Sequence, residues 1–142
     1  MKNKSLGFTL VEVMVVVVIL GILAAVVVPK VMSRPDQARL VKAKQDIMSI
    51  ENAVELYRLD NGVYPTTDQG LQALVLKPTS DPVPRQWKAG GYVKRLPLDP
   101  WGREYQYLQP GQHGEIDIYS LGKSGDSMSD TNVIGNWNND RS

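Results

Sequence analysis

The chain has 142 residues, a formal net charge of +1, one histidine and no cysteine. That length leaves room for one compact domain of modest size once any membrane segment is set aside. The missing cysteines exclude disulfides, thiolate zinc sites and Cys nucleophiles; the lone His113 excludes a His-based triad or a two-His metal site; the interleaved charges argue against nucleic acid as a partner.

Lys2 and Lys4 precede Ser5-Leu6-Gly7, after which Phe8 to Val28 is almost unbroken apolar sequence. About 21 residues at 1.5 Å each give about 31 Å of helix, enough to span a hydrocarbon core. The basic flank favours keeping the first residues cytoplasmic and delivering the rest to the other side, which fits the periplasm of a two-membrane bacterium. An ordinary secretory signal fits less well. The apolar run is too long for one, and Ala24-Ala25 leads into Val26-Val27-Val28-Pro29 rather than a polar mature start. A plain single-pass anchor leaves Glu12 unexplained, because an acid inside such a run is by default paired and functional. A cut before Phe8 would expose an α-amino group four residues from Glu12. The two charges can neutralise each other within one helix or between neighbouring subunits of a filament, the second arrangement setting axial register.

Gly7-Phe8-Thr9-Leu10-Val11-Glu12, followed by the apolar run Val13 to Ala24, resembles the class III signal of type IV pilins and type II secretion pseudopilins. The resemblance implies that a membrane-embedded prepilin peptidase cuts after Gly7 and N-methylates Phe8, and that Glu12 is the acid needed for assembly.

Pro29 and Ser33-Arg34-Pro35 interrupt the helical ladder and predict a bend or a locally meltable stretch. Beyond them Leu40, Ala43, Ile47, Ile50, Val54 and Tyr57 form one apolar stripe on a helix of about 25 residues, with Gly62 as a left-handed cap. Lys42, Lys44, Asp46, Glu51, Glu55 and Arg58 lie on the polar face, expected to be solvated or to make weak inter-subunit salt bridges. A Thr from Tyr64-Pro65-Thr66-Thr67 is expected to cap a short helix that points Leu71, Leu74 and Val75 inward. Lys77 to Gly91 is a Pro- and Gly-rich loop anchored by Trp87 and Tyr92. Residues 104–108 and 115–120 alternate with period two around Pro110-Gly111-Gln112-His113-Gly114, a hairpin signal that makes His113 an exposed turn residue. The fold class is therefore α+β, a long N-terminal helix packed on a small antiparallel sheet.

Gln69-Gly70-Leu71-Gln72-Ala73-Leu74, Asp99-Pro100-Trp101-Gly102, Tyr105-Gln106-Tyr107, Ser120-Leu121-Gly122 and Gly135-Asn136-Trp137 narrow the resemblance to the major pseudopilins of type II secretion. Type IV pilins of the usual kind staple their C-terminal region with a disulfide, so something other than cysteine must do that here. Residues 121–134 are rich in Gly, Ser, Asp and Asn; by composition they read as a disordered polar loop or as a set of hard oxygen donors for calcium. The resemblance implies one structural calcium, with Leu121 as a carbonyl ligand. The family commonly reads Ser-Leu-Gly-x-Asp-Gly, whereas Ser124 stands at the acid position here and Asp126 follows two residues later. The second family acid falls near Asn132, with Asp130 two places earlier. The expected ligand set is Leu121, Ser124, Asp126, Asp130 and Asn132, with weaker affinity than in typical relatives.

The resemblance also implies a domain plan: leader peptide 1–7, transmembrane and polymerisation helix 8–28, periplasmic helix 29–62, and globular domain 63–142. It implies a non-enzymatic subunit of the type II secretion pseudopilus, anchored once in the inner membrane, that polymerises to drive folded exoproteins across the outer membrane. Its partners would be its own copies, minor pseudopilins, the prepilin peptidase, membrane lipid, and an inner-membrane assembly platform with its cytoplasmic ATPase. A type IV pilus major pilin for adhesion or motility is the alternative role.

Overall fold

The computed structural model describes residues 7–127 and 132–139, the side chains of 27–33 excepted. It divides between Ala38 and Arg39 into two compact units. One helix, α1 (Leu10–Asn61), runs through both. Thr9 starts it: its Oγ1 accepts the Glu12 N–H at 3.2 Å and its carbonyl accepts the Val13 N–H at 3.2 Å. The interruption expected at Pro29 and Pro35 does not end the helix, although each proline removes a ladder donor. Every described side chain from Phe8 to Val26 is exposed in the single chain. Among the described residues no helix is long and apolar enough to cross a membrane; the span expected from Phe8 to Val28 runs past Val26 into the residues whose side chains are not described.

From Arg39 onward α1 is the spine of a small α+β unit. Ala43, Ile47, Ile50, Ala53, Val54 and Tyr57 are buried on its inner face. Leu40, expected in the same stripe, is 42% exposed, because it lies a turn before the first position the core covers. The helix closes as expected, with the Gly62 N–H on the Arg58 carbonyl at 2.7 Å and Gly62 at φ +79°. Thr66 and Gln69 then bond each other reciprocally, backbone to side chain, at 3.1 and 3.0 Å. The element they introduce is a single 3-10 turn, Leu71–Leu74, rather than an α-helix, and its own N-cap, Gly70, makes no side-chain bond. Leu71, Ala73 and Leu74 are buried, and Val75 only half so.

Trp87 and Tyr92 anchor the following loop as expected. The Trp87 indole donates to the Ala73 carbonyl at 2.8 Å, and the Tyr92 hydroxyl donates to Asp60 at 2.8 Å while its ring packs on Tyr57 and Trp87. The sheet has three antiparallel strands in chain order, β1 (Gln106–Leu108), β2 (Asp117–Ser120) and β3 (Ile134–Gly135). In β1 and β2 the register sets Tyr107 opposite Ile118, both buried. The alternating pattern located β1 and β2 but ran two residues beyond each N-terminus; β3, two residues long, carries no periodic signal.

The polar face of α1 is not simply solvated. Asp46 accepts the Tyr105 hydroxyl at 2.8 Å, Glu51 accepts the Asn136 amide at 3.2 Å, and Glu55 accepts the Tyr64 hydroxyl at 2.6 Å. Acids that read as surface charges thus tie the helix to three separate parts of the globular unit. The Lys42–Asp46 and Glu55–Arg58 pairs, at 2.6 and 3.2 Å, are exposed and contribute little alone.

Two expected outcomes follow from this packing. Denaturant unfolding of the full chain in detergent should show Ile47→Ala less stable by about 2–5 kcal/mol, whereas Leu40→Ala should stay within about 0.5 kcal/mol of wild type. Burial, reinforced at Tyr64 and Tyr105 by hydrogen bonds to carboxylates, holds the phenols of Tyr64, Tyr105 and Tyr107 well above their usual value. In the unfolded chain each ionises near pH 10. A folded pKa raised above the unfolded one contributes stability that is complete below about pH 10 and is lost as pH rises through it. Unfolding midpoints should therefore fall above about pH 10, with the tyrosinate absorbance of Tyr64, Tyr105 and Tyr107 appearing only as the chain unfolds.

Candidate functional site

The amino-terminal turn places Gly7, Phe8 and Thr9 in non-helical backbone directly before α1, with Phe8 84% exposed. Glu12 is the third helical residue, so the Thr9 cap and the acid form the pattern of a capping box, with the carboxylate in the first turn at the positive end of the helix dipole. Sequence reasoning gave Glu12 a filament partner but overlooked Thr9. The signal for it is a Thr three residues before a Glu at the head of an apolar run.

The terminal loop is organised from a buried carboxylate. Asp99, 4% exposed, accepts the backbone N–H groups of Trp101 and Arg103 through Oδ1 at 3.0 and 2.8 Å, and the Ser120 hydroxyl through Oδ2 at 2.8 Å. The Ser120 oxygen in turn accepts the Gly122 N–H at 3.1 Å. Arg103 donates from Nη1 to the Gly122 carbonyl at 2.8 Å, and its guanidinium lies against Gly125. Gly122 and Gly125 both have positive φ, and a Cβ at either would collide, at Gly122 with the Asn132 carbonyl and at Gly125 with the guanidinium.

Of the expected calcium ligands, Leu121, Ser124, Asp126 and Asn132 fall among the described residues, and Asp130 lies outside them. Ser124 Oγ faces the Asp126 N–H at 3.4 Å, and the Asn132 carbonyl lies against Gly122. Calcium needs six to eight oxygens, usually with several carboxylates. Among the described residues the loop supplies one carboxylate, Asp126, and no group of three or more acids or histidines converges anywhere. A guanidinium already occupies the Gly122 carbonyl. Among the described residues these donors fall short of a calcium centre: they include one carboxylate, and a fixed cation already sits on the neighbouring Gly122 carbonyl.

Comparison with known proteins decides the family. Residues 30–137 match the family model described as type II secretion system (T2SS), protein G, and residues 2–28 match the prokaryotic N-terminal methylation motif. The chain belongs to the type II secretion system protein G family. It is 59% identical to the type II secretion system core protein G of Pseudomonas aeruginosa, over 97% of this chain and 99% of the relative. It is 48% identical to that of Escherichia coli K12, over 95% and 92%. The crystal structure of the major pseudopilin from the type 2 secretion system of enterohaemorrhagic Escherichia coli superposes with a TM-score of 0.69 at 49% identity, covering 75% of this chain and 92% of that one.

In this pseudopilin the C-terminal region is clasped without cysteine. His113, an exposed turn residue as expected, also stacks on Trp137 with ring centroids 3.8 Å apart and contacts Asp117 from Nδ1 at 2.9 Å. Asp117, 1% exposed, also accepts the Gln112 and His113 backbone N–H groups. Asn136 donates to the Ile116 carbonyl and accepts the Ile118 N–H, both at 3.1 Å, and Asn139 reaches back to the Lys44 carbonyl at 3.3 Å. Side-chain amides at the end of the chain therefore extend the sheet and fasten it to α1. Trp137→Ala should destabilise the chain by about 2 kcal/mol and expose residues past Gly135 to carboxypeptidase, whereas Trp137→Phe, which keeps a stacked ring, should do neither to the same extent.

Proposed function

We propose that this chain is the structural subunit of a type II secretion pseudopilus, anchored once in the inner membrane with its globular unit in the periplasm, and polymerised through the N-terminal part of α1. The observation that carries this reading is the exposed apolar surface from Phe8 to Val26, headed by a capped turn with Glu12 inside it. A soluble monomer has no use for so large an apolar surface; lipid before assembly and neighbouring copies after it would cover it. Its match to the methylation motif supports cleavage after Gly7 and methylation of Phe8 by a prepilin peptidase. Once freed, the Phe8 amine would carry the charge that neutralises Glu12 of a neighbouring copy.

The role is mechanical, with no catalysis by this chain: its one histidine is committed to Trp137 and Asp117. Minor pseudopilins, the assembly platform and its ATPase are the partners such a subunit needs to extend and to move folded exoproteins. The family match to secretion protein G favours this role over that of a type IV pilus major pilin.

Intact-mass measurement of the mature chain should give a species beginning at methylated Phe8, and Gly7→Ala should leave the precursor uncut. Glu12→Ala should abolish filaments in a pilus-shearing assay while the membrane-inserted monomer persists at wild-type level. Filaments from Glu12→Ala would remove the charge-neutralisation step.

A further inference from the structure

We propose that the Arg103 guanidinium closes the 121–127 loop in this chain in the role expected of calcium, so that the loop is held by an internal cation and needs no metal. Three observations carry this. First, Gly122 is gripped at both ends of its peptide backbone by groups that trace to Asp99: its N–H by Ser120 Oγ, and its carbonyl by Arg103, whose own N–H is fixed on the same carboxylate. The arginine is thus positioned from the backbone up, by a carboxylate 4% exposed, and is not a surface side chain that happens to lean on the loop. Second, the fit is made by glycine on both sides of the cation. Gly125 leaves room for the guanidinium plane, and Gly122 lets the returning limb at Asn132 approach. Third, the charges are nearly balanced without a metal. Residues 121–134 contain Lys123, Asp126 and Asp130, a formal −1; adding Arg103 and the Asp99 carboxylate that anchors it leaves the set at −1. A divalent ion would turn that to +1 and set a second cation beside a group that cannot lose its proton.

Guanidinium and calcium share the property that matters to such a loop, a localised positive charge toward which carbonyl oxygens turn. They differ in that the guanidinium is covalently tethered, directional and independent of metal concentration. The closure by Arg103 concerns the loop alone, so its failure would leave polymerisation through α1 untouched.

The test compares wild type, Arg103→Gln and Arg103→Lys as full chains in detergent micelles, each in excess calcium chloride and in excess chelator. Thermal unfolding and the rate of tryptic cleavage after Lys123 are read together. Wild type should show the same midpoint and the same cleavage rate in both conditions. Arg103→Gln should be cleaved after Lys123 about tenfold faster or more, the factor expected for losing one hydrogen bond from a charged donor, with calcium giving no rescue. Arg103→Lys, keeping the charge but not the planar fork, should fall between. A wild-type midpoint that rises by about 5 °C or more in calcium would overturn the proposal, as would an Arg103→Gln loop cleaved no faster than wild type. The calcium comparison on wild type stands even if Arg103→Gln fails to fold.

Discussion

The globular unit rests on one face of α1. Ala43, Ile47, Ile50, Val54 and Tyr57 are almost wholly excluded from solvent, and they meet the short 3-10 turn, the two longer strands and the Trp87–Tyr92 loop. Sheet and loops on their own carry little regular structure: β1, β2 and β3 have three, four and two residues. A sheet that small is not independently stable and has to borrow its apolar partner from a helix. Hence the acids flanking the buried stripe matter more than their surface character suggests. Asp46, Glu51 and Glu55 each receive a proton donor from a different segment, fixing where along α1 the strands, the tail and the Tyr64 turn come to lie.

Features with local causes were legible in the sequence. The 3-to-4 spacing of Ala43 through Tyr57 marked the buried face, Gly62 marked the helix end, and alternation around Tyr105-Gln106-Tyr107 and Ile116-Asp117-Ile118 marked the sheet. Features whose cause is a distant partner were not. Glu51 and Asn136 are 85 residues apart, and nothing about either alone predicts the bond. His113 looked like a turn residue because its loop is a turn; the stacking ring comes from Trp137, 24 positions on by the chain's numbering. At the terminal loop the resemblance directed attention to oxygen donors after Ser120, while the side chain that enters the loop, Arg103, belongs to the turn before β1. The continuity of α1 through two prolines was also hidden, since each proline locally removes a ladder donor and by itself reads as an interruption.

Two buried carboxylates divide the work that disulfides do in small secreted domains. Asp99 fixes the 99–103 turn to the end of β2, and Asp117 fixes the hairpin loop to the start of β2. Asp99 meets two N–H groups and a hydroxyl, Asp117 two N–H groups and the His113 ring nitrogen, the condition under which a buried acid can be kept at all. Because both act on β2, the strand is held at its two ends while Ile118, between them, fills the core. The tail then closes over the same strand through Asn136 and Trp137, and no thiol chemistry is needed for the chain to reach this arrangement.

Thr9 has a consequence for timing. By setting the first helical residue at Leu10, it leaves the peptide bond between Gly7 and Phe8 outside the hydrogen-bonded ladder. An extended dipeptide can enter a proteolytic cleft as it stands, whereas a helical one must first be unwound at the expense of its ladder bonds. With the cut at that bond proposed above, maturation and helix formation are uncoupled: α1 can form while residues 1–7 are still attached. The capping hydroxyl thus acts as a ruler, setting two residues between the Gly7–Phe8 bond and the first helical residue.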